Sequence, residues 1–268
     1  MEVNQRKQNW QPTYNVTLCP APFNRNYDKL GEFLQYIEVN GLFGADHFIF
    51  YNHSVSPTLE PYIDHYLSEG TIEIMQWRIP VETKQGNTNE IHYFGQVIAQ
   101  AECFFRAMMN SKYVACVDMD EVLLPLETDD WHGIIGDNPT MGVFVFPNVF
   151  FRKEWPKDPT FEHESLLHKY PIDALLYTKR EPKTWPHNSR SKYIARPEAV
   201  ELPGIHYPFR IAPGYRSLPV PSAKGIVAHY RDWEDYREAQ MSEEKRMHVY
   251  SDQILERISR VHNSINGN

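Results

Sequence analysis

The sequence predicts an α/β protein: a mixed, mostly parallel sheet flanked by helices. Two observations carry this. In the first half, four short apolar runs alternate with segments of helical periodicity, giving β-α-β-α-β-α-β with connections short enough for right-handed crossovers. The fourth run, Tyr113 to Val117, is apolar almost throughout and ends abruptly in Asp118, Met119, Asp120 and Glu121. A strand of that texture is covered on both faces, and ligands of open α/β sheets gather outside the carboxyl ends of such strands.

Each element has its own signal. Tyr14 to Leu18 reads as the first strand, closed by Cys-Pro-Ala-Pro-Phe, whose two prolines end it. From Asp28, Leu30, Phe33, Leu34 and Ile37 recur at helical spacing up to Gly41, a C-terminal cap. His47 to Tyr51 forms a second strand with turn residues Asn52 to Ser56 behind it. Pro57 opens a helix carrying Leu59, Tyr62, Ile63 and Tyr66, and Gly70 stops it. Thr71 to Trp77 is the third strand. After a polar loop, Ile91, Phe94, Val97, Ile98, Ala101, Phe104, Phe105 and Met108 predict a long amphipathic helix leading into the acidic strand end.

Beyond Pro125 the texture changes. Met141 to Pro147 predicts a buried strand that continues through Asn148 to Phe151. From Arg152 to Pro221 prolines and aromatics crowd together, the composition of an irregular binding face; Trp155, Trp185, Tyr207 and Tyr215 are candidates for stacking on a sugar ring. Lys192 and His206 each stand beside a short apolar strand, placed to face a phosphate or to cap a turn. Gly225 to Arg231 is a late strand ending in His229 and Arg231. Trp233 to Asn266 predicts a helical brace packing through Tyr236, Ala239, Met247, Val249, Ile254, Ile258 and Val261.

Composition narrows the function. With 268 residues, 41% hydrophobic and 23% charged, the chain has the make-up of a soluble globular protein with a sizeable core. A net charge of −8 without a Lys/Arg cluster argues against nucleic acid as a partner. No apolar run spans a bilayer, so no membrane contact is expected from this chain itself. Cys19, Cys103 and Cys116 are too few and too scattered for a disulfide scaffold or a zinc site; buried thiols, with at most one bridge, are expected.

The acidic turn supports two chemistries. Asp118 and Asp120 could together approach one divalent cation, hard oxygen ligands that suit Mg²⁺ or Mn²⁺ with substrate phosphates completing the shell. No G-x-G-x-x-G and no Walker lysine motif occurs, so a metal is the available phosphate holder. If the late strand returns beside the turn, His229 supplies a third ligand. Alternatively, Val-Asp-Met-Asp-Glu-Val-Leu fits the aspartyl motif of haloacid-dehalogenase-like phosphatases, with Asp118 attacking phosphate and Asp120 as acid/base. Against that, three strands precede the motif and no downstream G-D-x-x-x-D follows. A binding protein without turnover is the third class.

C-P-A-P-F-N, G-A-D-H-F-I-F-Y-N, the Q-x-x-A-Q-A-E-C-F-F-R helix, V-D-M-D-E-V-L-L-P, S-K-Y-I-A-R-P-E-A-V, G-I-H-Y-P and A-H-Y-R occur in that order from about residue 14 to residue 232. This series resembles glycosyltransferase family 92. One departure stands between Arg152 and Lys169, where K-E-W-P-K-D-P-T-F-E-H-E-S replaces the family's glycine- and serine-containing segment. The resemblance implies a GT-A-type nucleotide-diphospho-sugar transferase fold over residues 1–268, with a nucleotide-binding half at 14–125, an acceptor-side half at 126–232 and the brace at 233–268. It implies inverting transfer of a hexose, galactose in the members concerned, from a UDP-sugar donor to a glycan acceptor, with Mn²⁺ (or Mg²⁺). Asp118, Asp120 and His229 would be the metal residues, and Ala21, Pro22, Arg25, Asn52, Asp118, Met119, Lys192 and Arg231 would meet the donor. Candidates for the base that deprotonates the acceptor are Glu154, Asp158, Asp173 and Glu162. The family's habit implies the Golgi lumen or secretory pathway if an anchor has been removed from this chain, and otherwise a soluble member without one.

Overall fold

The computed structural model describes residues 11–79, 91–233 and 240–267. The expected packing positions Tyr236 and Ala239 lie outside the described residues. In chain order the elements are β1 (Tyr14–Leu18), α1 (Leu30–Leu42), β2 (His47–Asn52), α2 (Glu60–Ser68), β3 (Ile72–Gln76), α3 (Gln96–Ala107), β4 (Ser111–Cys116) and β5 (Glu121–Pro125). Then follow α4 (His132–Ile135), β6 (Met141–Phe146), β7 (Asn148–Arg152), α5 (Ser165–Lys169), α6 (Asp173–Leu176), β8 (Lys179–Arg180) and β9 (Lys192–Ala195). The last are β10 (Val200–Leu202), β11 (Arg210–Ile211), β12 (Arg216–Pro219), β13 (Gly225–Arg231), β14 (Ser242–Glu243) and α7 (Ser251–Asn266).

The main sheet runs β12-β6-β9-β4-β1-β2-β3. β1 to β4 are mutually parallel, as the alternating pattern predicts, and β9 lies antiparallel between β4 and β6. Its faces sort by residue parity. Phe48, Phe50, Tyr113 and Ala115 join one core with α1, α2 and α7, while Ile49, Tyr51, Val114 and Cys116 join a second core with α3. Helices therefore cover both faces. A second sheet, β14-β8-β7-β13-β5, stands beside the first.

Two chain switches join the sheets, and neither is visible in the sequence as a move between sheets. β4 stops short of the acidic residues, as the abrupt end of the apolar run predicts. It ends at Cys116, the chain turns with the Glu121 amide donating to the Asp118 carbonyl at 3.1 Å, and β5 restarts in the second sheet. Asp118 and Asp120 thus occupy a turn, and Glu121 opens a buried strand. The expected single strand from Met141 to Phe151 is likewise two strands in different sheets. Pro147 has no N–H to give the ladder, and its carbonyl instead accepts from Val227 of β13 at 2.8 Å.

The helix expected from Ile91 starts only at Gln96, because Tyr93 and Phe94 hold positive φ values of 43° and 55°. Its buried face is Gln96, Ala99, Gln100, Cys103, Phe104 and Ala107, whereas Ile98 and Phe105, expected inside, are exposed. A disulfide between Cys19, just past β1, and Cys103 ties this face down, with the Cα atoms 5.9 Å apart; Cys116 is free and buried. On the opposite side α1 approaches the 171 backbone so closely that a Cβ at Gly31 would stand 2.2 Å from the Pro171 carbonyl oxygen, so only glycine fits.

The C-terminal brace is shorter than expected. It follows β14 and a 3-10 turn over Arg246–Tyr250, and α7 inserts Ile254, Ile258 and Val261 against α1 and α2. Val249, expected to pack, is 65% exposed. Buried Glu38 of α1 anchors α7 by accepting from Arg257 at 3.1 Å while also accepting from the Tyr66 hydroxyl at 2.6 Å.

Candidate functional site

An open cleft of about 650 Å³ lies where the two sheets meet, at the carboxyl ends of β1, β4 and β13. Three segments supply most of its floor: Ala21 to Lys29 after β1, the turn Asp118 to Glu121, and His229 to Asp232 at the end of β13. The pairing of β13 with both β5 and β7 brings the third segment here, in a register that sets His229 opposite Glu121. The Tyr230 amide donates to the Asp120 carbonyl at 2.9 Å and pins the turn to β13.

Beneath the floor runs a buried chain of charges. Asp118 Oδ2 accepts from Lys192 Nζ at 2.7 Å, and its Oδ1 accepts from Gln96 Nε2 of α3 at 2.7 Å. The Asp118 amide donates to Glu121 Oε2 at 2.9 Å, and Lys192 Nζ is 3.3 Å from the same oxygen. Glu121 Oε1 faces His229 Nδ1 at 3.3 Å, and His229 Nε2 lies 3.2 Å from Asp120 Oδ2. Lys192 and Glu121 are almost wholly buried, whereas the Asp120 side chain keeps 35% of its surface toward the cleft.

The electrostatics follow from this geometry. Burial would lower the Lys192 pKa, but Asp118 and Glu121 outweigh it and hold the ammonium well above its ordinary value. Burial pushes the Glu121 carboxyl above the carboxylate range, with Lys192 opposing and Asp118 adding. Burial also works against ionised Asp120, yet His229 and then Lys192 hold it below its ordinary value. His229 is raised in turn: burial opposes its charge, and Asp120 overrides that.

The donor set fits a divalent cation in part. Asp118, Asp120 and His229 all line the cleft; each oxygen of Asp118 already accepts one hydrogen bond, whereas Asp120 and His229 present a carboxylate and an imidazole to the cleft. Among the described residues no group of three or more His, Cys, Asp and Glu side chains is disposed as a complete cage. A cation held by one or two side chains together with substrate phosphate oxygens is the usual arrangement for Mg²⁺, and the carboxylate of Asp120 suits Mg²⁺ and Mn²⁺ alike.

The remaining predicted residues divide. Ala21, Pro22, Arg25, Met119 and Arg231 line the cleft, as does His206. Lys192 does not: it lies beneath, fully buried under Asp118. Asn52 stands at the end of β2 outside the lining, its carbonyl accepting from the Trp77 amide at 2.8 Å.

None of the four candidate bases lines the cleft. Asp158 is buried, accepts from the Thr160 amide at 2.9 Å as a 3-10 cap and pairs with Lys245 at 3.2 Å, while Glu162 lies on the same distant surface. Glu154 pairs with Arg152 at 2.7 Å. Asp173 pairs at 2.7 Å with Lys153, which itself reaches the cleft. The expected sugar-stacking aromatics also stand apart: Trp155 is buried, Trp185 packs edge-on against Phe150, and Tyr207 and Tyr215 lie outside the lining.

Sequence reasoning missed Glu32, Gln96, Lys153, Arg190 and Asp232, all of which line the cleft. Gln96 opens the Q-x-x-A-Q helix already quoted as a motif, and that was its available signal. Arg190 is marked only by the structure: with Arg25, Asn26, Tyr93 and Phe94 it completes the non-glycine residues of positive φ among those described, and Arg25, Tyr93 and Arg190 line the cleft. Strained backbone of this kind concentrates at functional sites.

Glycosyltransferase family 92 protein F13G3.3 of Caenorhabditis elegans is 26% identical over 205 residues, covering 72% of this chain and 38% of its own length. ZK381.2 of the same organism, also a family 92 protein, is 22% identical over 218 residues, covering 77% of this chain and 40% of its own length. The chain thus spans about 40% of the length of these relatives. Solved structures that align include S. aureus TarS 1-349 in complex with UDP, with a TM-score of 0.41, 16% identity and coverage of 93% of this chain and 72% of that one. Glucosyl-3-phosphoglycerate synthase from Mycobacterium tuberculosis aligns with a TM-score of 0.37 and 12% identity, covering 95% and 80%. The architecture described above is the α/β one, with a mixed, mostly parallel sheet flanked by helices, that the sequence predicts. The sequence model of glycosyltransferase family 92 matches residues 14–264, nearly the whole of the described structure, and the chain belongs to that family.

Proposed function

We propose that the protein is a metal-dependent inverting glycosyltransferase that moves a hexose, galactose on the family resemblance, from a UDP-sugar to a glycan acceptor. The observation that carries this reading is the pairing of Asp120 with His229 at 3.2 Å on the floor of a cleft that the segment after β1 also lines. Asp120 and His229 would hold the divalent cation, which supplies Lewis-acid stabilisation of charge on the departing diphosphate. Asp118, fixed by Lys192 and Gln96, orients the donor. Arg231, Arg190 and Lys153 bring positive charge to the cleft, where developing negative charge is stabilised without reorganisation. The acceptor hydroxyl passes its proton to a cleft carboxylate, for which Glu32 and Asp232 replace the bases expected from sequence. The Cys19–Cys103 disulfide supports an oxidising compartment such as the Golgi lumen.

The phosphatase reading loses ground because the family 92 model matches residues 14–264 and three strands, β1 to β3, precede the acidic turn. The test is a thermal-shift screen of UDP- and GDP-sugars with and without Mn²⁺ on the wild type and Asp120→Ala, followed by an assay of UDP release. A UDP-sugar at a hundred times its Kd stabilises by about 2.7 kcal/mol. That gain should require Mn²⁺ and vanish in Asp120→Ala. Metal-independent stabilisation that survives the substitution refutes the reading, and binding without UDP release converts it to a binding protein.

A further inference from the structure

We infer that Glu121 and Asn148 are positioning residues that keep a proton on Nδ1 of His229 and so present the Nε2 lone pair to the cleft beside Asp120. The inference rests on the metal reading of Asp120 and His229. His229 lies on β13 between β5 and β7; Glu121 stands directly opposite it, and Asn148 is opposite Val227, two residues back on the same face of β13. Both flanking residues are buried, Asn148 completely. Glu121 Oε1 is 3.3 Å from Nδ1, and it cannot swing away because Oε2 accepts the Asp118 amide at 2.9 Å and faces Lys192 Nζ at 3.3 Å. The Phe150 ring, its centroid 4.9 Å from that of the imidazole, limits rotation of His229.

Asn148 supplies the second observation. Its Nδ2 is 3.4 Å from His229 Nδ1, while its Oδ1 is buried without a hydrogen-bond partner. A half-turn of the amide exchanges the two ends, places the orphaned oxygen at Nδ1, and leaves that nitrogen facing two acceptors. A neutral imidazole has one donor and one acceptor nitrogen; two acceptors at Nδ1 outnumber the single Asp120 oxygen at Nε2, so they select the Nδ1–H form and leave the Nε2 lone pair to ligate. The opposite arrangement, in which Asn148 donates to Nδ1 and Nε2–H donates to Asp120, would put a proton where the cation must sit. Carboxylates and amides behind a ligating histidine commonly act in this way.

The test is two-bond ¹H–¹⁵N NMR of ¹⁵N-histidine-labelled protein without metal, at a pH where His229 is neutral, on the wild type, Glu121→Gln, Glu121→Leu and Asn148→Leu. The inference expects Nδ1–H in the wild type and in Glu121→Gln, which keeps an acceptor, with a shift toward Nε2–H in each leucine variant. Mn²⁺ affinity in the presence of UDP, read by electron paramagnetic resonance, should fall about 10–100-fold in the leucine variants. An Nε2–H wild type overturns the inference, as does an Nδ1–H form that persists in both leucine variants. The wild-type spectrum alone decides if a variant fails to fold. A wild type that is Nδ1–H yet binds no Mn²⁺ with UDP counts against the metal reading and leaves the tautomer assignment standing.

Discussion

Replacing Lys192 with methionine would leave the shape of the site nearly intact and remove its buried cation. Lys192 has no exposed side-chain surface and sits 2.7 Å from Asp118 and 3.3 Å from Glu121, which is itself 2% exposed. At an effective dielectric constant of about 20, each contact is worth roughly 5–6 kcal/mol before desolvation is subtracted. Removing one partner of such a buried network costs about 3–5 kcal/mol, because the stranded carboxylates keep their desolvation penalty. The Lys192 pKa is raised in the folded state, so its contribution is complete below the unfolded lysine value and is lost only as pH rises through the still higher folded value. Measurements at pH 8 therefore read it in full. Glu121 is an acid whose folded pKa is already raised by burial, and loss of Lys192 raises it further. As pH falls through that value Glu121 takes up a proton and no longer needs a counter-cation, so the deficit of the variant narrows between pH 8 and 5. Urea unfolding should show the midpoint lowered by about 1–2 M at pH 8 with an unchanged slope. A deficit below about 1 kcal/mol at pH 8, or one that stays constant down to pH 5, refutes the view that Lys192 neutralises these two carboxylates.

Cys103→Ser opens a bridge between residues 84 apart and should cost about 2–5 kcal/mol, read as a lowered thermal midpoint that dithiothreitol reproduces in the wild type but not in the variant. Asp158→Ala should lower stability by about 1–2 kcal/mol through loss of its cap while leaving turnover per folded molecule unchanged, which separates a structural carboxylate from a catalytic base. Burial opposes ionised Asp158, but Thr160 and Lys245 outweigh it and hold its carboxyl well below the carboxylate range. Its contribution is therefore present above the unfolded aspartate pKa, and the difference between wild type and variant in urea should shrink only as pH falls below about 4.

The sequence by itself determined the order of elements in the first half of the chain. The first four strands, the helices between them and the position of the acidic turn follow from local periodicity, from prolines after β1 and from Gly70 behind α2, signals that each act within a few residues. The late strand ending in His229 was legible for the same reason. Tertiary structure alone decided which polar groups meet. Lys192 reads as a residue that faces a phosphate or caps a turn until β9 pairs with β4 and buries it under Asp118, 74 residues away in the chain. Asp158 and Asp173 look alike in sequence as carboxylates of an irregular segment, and their partners Lys245 and Lys153 fix where each points. The break at Pro147 was visible as a residue but not as a move between sheets, because that depends on which strand offers the next free edge. Above all, the register of β13 against β5 sets His229 opposite Glu121 and beside Asp120. Register is chosen by the burial of whole strand faces, and no local pattern carries it.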